Sequence, residues 1–273
     1  MKGRVLIVAG SDSGGGAGIQ ADIKAVTALG AFAMTAVTAL TAQNTEGVAN
    51  VLPIPPGFIR EQMNVVVSDL GVDVVKTGML HDAAVIEAVA EELAQLAPAV
   101  PVVVDPVMVA KGGHRLLEES AVEALTRLMI PRATVITPNV PEAETLSGMA
   151  IIGIEDMRRA AEALLRAGAR AVLLKGGHLP GERVTDLLAT GDGIEAFESP
   201  RVETRHTHGT GCTLASAVAA GLAQGMALRE AVVRARHYVL LAMASAPGYG
   251  RGHGPLDHAV TVDPARLAAL ARA

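Results

Sequence analysis

Short runs of apolar, largely β-branched residues alternate along this chain with longer stretches in which apolar positions recur every three to four residues. That alternation is the signature of β-α-β units, and hence of a mostly parallel sheet with helices on both faces. The first strand is predicted at Arg4–Ala9, followed by a helix from about Ala17 to Leu29. Further strands are predicted at Met34–Leu40, Val72–Thr77, Pro101–Asp105, Thr134–Thr137 and Ala171–Lys175, each apolar almost throughout, as a strand covered on both faces must be. Between them Val85, Ile86, Val89, Leu93 and Leu96 fall at helical spacing, as do Met157, Ala160, Ala161, Leu164 and Leu165, which Gly168 terminates. Later, Arg183–Ala189 and Ile194–Phe197 flank the turn Thr190-Gly191-Asp192-Gly193 and predict a β-hairpin added to the sheet. Two helices, Gly211–Gln224 and Leu228–Ala246, complete the pattern. No low-complexity linker or repeat interrupts it, so residues 1–273 are expected to form one domain.

Composition narrows the picture. Half of the 273 residues are hydrophobic, yet no apolar run approaches the roughly 20 residues that span a bilayer. The N-terminal run Val5–Ala9 is too short for a secretory signal, so a cytoplasmic protein without a membrane partner is expected. A single cysteine, Cys212, rules out an intramolecular disulfide and any multi-cysteine zinc cage. The net charge of −5, aromatics at 2% and the absence of Trp leave neither a basic surface nor stacking platforms for nucleic acid.

In open parallel sheets, ligands sit beyond the carboxyl ends of the strands. The polar residues cluster there: Gly10–Gly14, Gln43 and Asn44, Lys76, Asp105, Asn139 and Lys175. The segment His208-Gly209-Thr210-Gly211-Cys212-Thr213 opens an Ala- and Gly-rich helix, and its backbone amides at a helix N-terminus suit a phosphate or a developing anion. Cys212 lies in the first turn, where a thiol's pKa is expected to fall and where it could take a proton from a substrate hydroxyl. Ser11–Gly18 follows the first strand as a dinucleotide loop would, but lacks the G-x-G-x-x-G spacing, which argues against an oxidoreductase; no G-x-x-x-x-G-K-[ST] occurs either. Asn139 and Glu142, three apart at the start of a helix, suit either the water shell of a magnesium ion or an ordinary helix cap. Lys175-Gly176-Gly177-His178 puts an ammonium beside flexible backbone, suited to nucleotide phosphates. His206 and His208 are read as structural.

These motifs, in this order, resemble the ribokinase-like superfamily, and within it the hydroxymethylpyrimidine and hydroxymethylpyrimidine-phosphate kinases of thiamine biosynthesis. The resemblance is carried by Ala9–Asp22, Thr38–Asn44, Lys76–Met79, Asp105–Met108, Thr137–Ala143, Lys175–His178 and His208–Thr213. It implies a three-layer α/β/α sandwich with a mostly parallel central sheet and an added β-hairpin. It also implies an acceptor pyrimidine, 4-amino-5-hydroxymethyl-2-methylpyrimidine, then its monophosphate, with Mg²⁺ and ATP as donor, in a homodimer. On this pattern Gln43 would read the ring, since one amide matches an amino group and an adjacent ring nitrogen. Asp22, Gly10 and Ala17 would line the same pocket, with Met79 and Val107 packed on the ring. Lys175 and Thr210 would contact the nucleotide, Asn139 and Glu142 would organise magnesium, and Asp105 would lie near the transferred group. Backbone amides from Gly209 through Gly211 to Cys212 would form the anion hole, with Cys212 as base. The chain departs from the family at Gly112-Gly113-His114, where Ser-Gly-Asp is more usual, and at Arg236, where a lysine is usual; His253 is assigned nothing. Rival readings are a pyridoxal kinase of the same superfamily, against which Gln43 and the Gly10–Gly14 loop speak, and a non-catalytic pyrimidine-binding regulator, against which Lys175, Glu142, Asp105 and Cys212 together speak.

Overall fold

The computed structural model describes residues 1–109, 116–117 and 119–265. The departure noted at Gly112-Gly113-His114 lies outside them. One nine-stranded sheet runs through the molecule in the order β3-β2-β1-β4-β5-β6-β7-β8-β9. Its parallel part comprises β2 (Phe32–Gln43), β1 (Arg4–Asp12), β4 (Val74–Thr77), β5 (Val102–Val104), β6 (Val135–Ile136) and β7 (Ala171–Leu174). The strand predictions hold, with β1 and β2 running longer than predicted and β4 to β7 shorter. Antiparallel strands flank it, β3 (Val48–Pro53) on β2, and the hairpin β8 (Arg183–Thr190) and β9 (Gly193–Pro200) on β7.

Each parallel strand buries alternate side chains in two separate cores. Leu6, Val8, Val75, Val102, Val104 and Ile136 face α2 (Pro56–Leu70), α3 (Ala83–Gln95), α4 (Glu119–Ala124) and α6 (Ile154–Arg166). Val5, Ile7, Val74, Val103 and Val135 face α1 (Gly18–Ala28), α7 (Thr210–Ala223) and α8 (Leu228–Ala244). This is the expected three-layer sandwich. α7 fits because it is made of small residues; a Cβ on Gly221 would stand 2.6 Å from Cβ of Ala231, so glycine there permits the close α7–α8 packing.

Three features were not foreseen. β3 and α2 were not predicted: β3 is a half-exposed edge strand ending in proline, and α2 buries only Ile59 and Met63 fully, so neither shows a clean period. α4 runs directly into a π-helical turn, Leu125–Met129, closed by Ile130 N–H donating to Leu125 O at 3.2 Å. The predicted 137–142 helix start is α5 (Val140–Ser147), two turns long.

The chain passes from β1 to β2 on one side and returns to β4 on the other. Beyond the carboxyl ends of β1 and β4 the connections therefore diverge and leave a crevice.

Candidate active site

That crevice holds a cavity of about 360 Å³. Its lining includes Gly10, Ala17, Gln43, Met79 and Val107 together with Asp105, Lys175, Gly209, Gly211, Cys212, Asn139 and Glu142. A second cavity of about 500 Å³ lies between the β8–β9 hairpin and α8 and shares Asn139, Lys175 and Gly211 with the first. Thr210 faces this second space and not the first.

The glycine loop after β1 and the start of α7 are locked together. Gly209 caps α7 with a left-handed φ of 80°, and a Cβ there would fall 1.8 Å from the carbonyl oxygen of Gly16. Only glycine allows that approach. At the joint, the buried carboxylate of Asp12 accepts from Gly14 N at 2.8 Å, Gly16 N at 3.0 Å and Ala17 N at 2.8 Å, and pairs with His208 Nε2 at 2.8 Å. Burial pushes the Asp12 carboxyl up, but the His208 bond and the loop amides outweigh it and hold it below its ordinary value. A carboxylate at that distance requires the proton on Nε2, so His208 cannot also accept from Gln43 Nε2, which lies 3.4 Å away. The Thr41 hydroxyl, with one proton to give, lies 2.9 Å from Ser11 O and 3.1 Å from the Gln43 amide oxygen. The NH₂ group of Gln43 is thus left facing the cavity wall without an acceptor from His208. Asp12 and His208 were missed at the sequence level, His208 being read as merely structural. Both stand inside quoted motifs, but their pairing spans 196 residues.

Elsewhere in the lining, Lys175 Nζ donates to Asp105 Oδ1 at 3.1 Å, which also takes the Thr137 hydroxyl at 3.0 Å. Burial opposes the Lys175 ammonium, yet Asp105 and Glu142 hold it above its ordinary value. Asn139 and Glu142 form a reciprocal capping box on α5: Glu142 N–H donates to Asn139 Oδ1 at 3.0 Å, and Asn139 N–H donates to Glu142 Oε2 at 2.8 Å. Of the two sequence readings of this pair the helix cap is the one realised, and Glu142 also borders the cavity. Burial pushes the Glu142 carboxyl up to about 7; Lys175 opposes the rise and Asp105 adds to it.

Two expectations are corrected. Asp22 does not line the cavity: it is fully buried beneath it, bonded by both oxygens to Lys76 Nζ at 2.9 Å and by Oδ1 to the Ser216 hydroxyl at 2.7 Å. With no exposed surface, that carboxylate is out of reach of a ligand in the cavity. The thiol of Cys212 is not lowered by its helix N-terminus but pushed up to about 12, chiefly by burial. Lys76 and the Gly18 amide pull it down, Asp22 and Asp105 push it up, and desolvation of the anion wins.

Arg236, the other departure, is buried in the wall of the second cavity. It donates to Asp186 Oδ2 at 2.8 Å and to Phe197 O at 3.0 Å, and lies 5.5 Å over the Phe197 ring. Its fork thus ties α8 to both strands of the hairpin, which a lysine's single ammonium could not do.

A glycine-held anion cradle, a charged junction and two communicating cavities on this sheet define a phosphoryl-transfer enzyme of the ribokinase-like class. The chain belongs to the phosphomethylpyrimidine kinase family, which it matches over residues 12–257. It is 49% identical over 256 residues to a Bacillus subtilis hydroxymethylpyrimidine/phosphomethylpyrimidine kinase, covering 93% of this chain and 94% of that one. It is 52% identical over 265 residues to the thiamine biosynthesis bifunctional protein ThiED of Geobacter sulfurreducens, covering 97% of this chain but only 54% of that longer protein. Among solved structures, an ADP complex of Bacillus subtilis pyridoxal kinase superposes with a TM-score of 0.87 at 38% identity, covering 95% of this chain and 98% of that one.

Proposed function

We propose that this protein transfers the γ-phosphoryl group of ATP to 4-amino-5-hydroxymethyl-2-methylpyrimidine and then to its monophosphate, as one cytoplasmic kinase domain of thiamine biosynthesis. The observation that carries this reading is the arrangement of the two cavities, which share Lys175 and Gly211, with the Gln43 amide in the lining of the first. A flat heterocycle with an acceptor nitrogen suits Gln43 and the apolar sides of Met79 and Val107. Nucleoside and phosphates occupy the second cavity, with Thr210 at its wall and Lys175 at the junction.

Phosphoryl transfer through a loose transition state asks mainly for positioning and charge neutralisation. Amides of Gly209–Cys212 face the moving group, and a Cβ on Gly211 would stand 3.2 Å from Lys175 Nζ, so glycine keeps the space between ammonium and cradle open. Cys212 orients the acceptor hydroxyl as a neutral thiol, because holding it as thiolate at pH 7 would cost several kcal/mol. The hydroxyl oxygen bonds to the γ-phosphorus as the bond to ADP breaks, and the proton leaves late, to a phosphoryl oxygen. The second acceptor is a phosphate oxygen that is already anionic near neutral pH.

The donor set fits magnesium in hydrated form. Among the described residues no group of three or more His, Cys, Asp or Glu could hold a metal ion directly. Glu142 and Asp105 are nonetheless buried beside the junction, where a hydrated cation would offset the desolvation that raises Glu142's proton affinity. Glu142 and Asn139 would hold the ion's water shell, as Mg²⁺, reluctant to dehydrate, prefers. Bound with the nucleotide, the ion neutralises charge on the phosphate oxygens.

A panel of the pyrimidine, its monophosphate, pyridoxal and ribose, incubated with Mg-ATP while ADP is followed, tests the reading. Both pyrimidines should turn over and ribose should not. Gln43→Leu should weaken pyrimidine affinity by about 1–3 kcal/mol and leave ATP affinity unchanged. ADP release with ribose alone, or equal losses for both ligands in the variant, would overturn it. We further propose a homodimer, supported by Leu40 and Leu52, which face each other across β2 and β3 and are 44% and 62% exposed.

A further inference from the structure

The connection from β7 to β8 borders both ligand spaces, since His178 lines the two cavities and Gly177 the second. It begins at Lys175, and residues 176–182 hold neither helix nor strand, with three glycines among the seven positions. Such a chain loses more conformational entropy than most when it is ordered. Two of its amides are bonded: Gly176 N–H donates to Asp186 Oδ1 at 2.9 Å, and Leu179 N–H closes a turn on Gly176 O at 3.0 Å. Its carbonyls are gathered by one side chain. Arg201, the residue after β9, donates from Nε to Gly181 O at 2.7 Å, from Nη1 to Gly177 O at 3.0 Å and from Nη2 to Leu179 O. Its own N–H donates to Glu182 O at 2.8 Å, so the end of β9 lies along the loop. All three guanidinium nitrogens are thus engaged by main-chain oxygens, in a side chain that itself lines the second cavity.

We propose that Arg201 is a positioning residue for the nucleotide: it orders the 176–182 loop before ATP arrives, so that binding does not have to. The inference rests on the placement of the nucleotide in the second cavity and adds a residue that acts through the loop, away from the reacting atoms. A planar guanidinium spreads its donors in a fixed fork and holds three carbonyls at once, whereas an ammonium of equal charge converges its donors on one nitrogen and cannot reproduce the fork. Geometry is therefore what Arg201 contributes. Asp186, which takes Gly176 N–H, is itself gripped by Arg236 at 2.8 Å, so the loop's donor and acceptor groups are fixed by separate side chains. A loop already in its bound shape leaves more of the contact energy to affinity.

Calorimetric ADP affinity and amide hydrogen exchange at Gly176 and Leu179 test this in the wild type, Arg201→Lys and Arg201→Gln. Both variants are expected to bind ADP about tenfold more weakly, because ordering the loop then falls to the ligand. Their Gly176 and Leu179 amides should exchange faster, while the acceptor KM and, at saturating ATP, kcat stay at wild-type values. A purely structural role would instead lower the thermal midpoint and damage both substrates alike, which overturns the proposal. Full ADP affinity in Arg201→Lys would reduce the residue to its charge and also overturn it. In the wild type, where no variant has to fold, the two amides should be protected before ADP is added and change little afterwards; protection that appears only with ADP rejects the idea. Exchange at Val202–Thr204, across the same cavity, separates the two failures. If ADP leaves that segment unchanged, the placement of the nucleotide is wrong and the proposal falls with it. If ADP slows exchange there while both variants keep full affinity, only the clamp is refuted.

Discussion

At the scale of single residues, the site is governed by competition between local charge and desolvation. Cys212 sits at a helix N-terminus, a position that by itself favours thiolate, and still ends near 12 because burial removes more than the helix supplies. A neutral thiol serves a hydroxyl acceptor, which must be oriented and must lose a proton, and has little to offer an acceptor that is already anionic. Cys212→Ala is therefore expected to lower kcat for the hydroxymethylpyrimidine about ten- to a hundredfold, short of the ~10⁴ that loss of a true base can reach. The monophosphate should lose distinctly less. Single-turnover assays with each acceptor check this, and equal losses for the two would contradict the hydroxyl-orienting role. Asp12 shows the same competition resolved the other way, with the His208 bond and the loop amides overcoming burial.

At the scale of elements, α7 carries the anion cradle and must be held at its N-terminal end. Besides Gly209 against Gly16, it is pinned by the Thr213 hydroxyl, 2.9 Å from His258 Nε2, while the Tyr238 hydroxyl on α8 donates to the His258 carbonyl at 2.9 Å. Burial pushes His258 down to about 4, Lys24 lowers it further, and Asp257 only partly compensates. Because the folded value lies below the unfolded one of about 6.5, the unfolded chain binds more protons between them. Stability from this group is thus complete above pH 6.5 or so and falls as the pH drops toward 4, by at most roughly 3 kcal/mol. Denaturant midpoints measured from pH 7 to pH 4 should show this loss in the wild type, and His258→Phe should flatten it. An unchanged slope in the variant would assign the acid sensitivity to other groups.

At the scale of the whole molecule, the nine-stranded sheet ends on one side in β3, a half-exposed antiparallel edge beside α2. Leu40 and Leu52 form an exposed apolar pair there, and α2 exposes Phe58 and Val65. An unpaired apolar edge is a surface that soluble proteins usually cover. Sedimentation equilibrium should give twice the mass of one chain, and Leu52→Lys should shift the protein toward monomer with its pyrimidine kinase activity retained at high protein concentration. A wild-type monomer at micromolar concentration would remove the dimer.

Much of this was legible in the order of residues alone. The alternation of apolar runs with helical periods set the parallel sheet and its flanking helices, and turn residues at 190–193 placed the hairpin, because burial and turn geometry act over a few neighbouring positions. The motifs at Gly10–Gly18, Gln43, Asn139–Glu142, Lys175 and His208–Cys212 marked the cavity walls, since strand ends in such sheets converge on one crevice. β3 and α2 escaped because an edge strand and a half-exposed helix carry weak periods. What the tertiary structure alone decided is how the charges pair. Asp22 reaches Lys76 across 54 positions and Asp12 reaches His208 across 196, and no local pattern encodes either meeting. The same holds for the proton on Cys212: its neighbours along the chain favour losing it, and only the desolvation imposed by distant segments packed around it makes it stay.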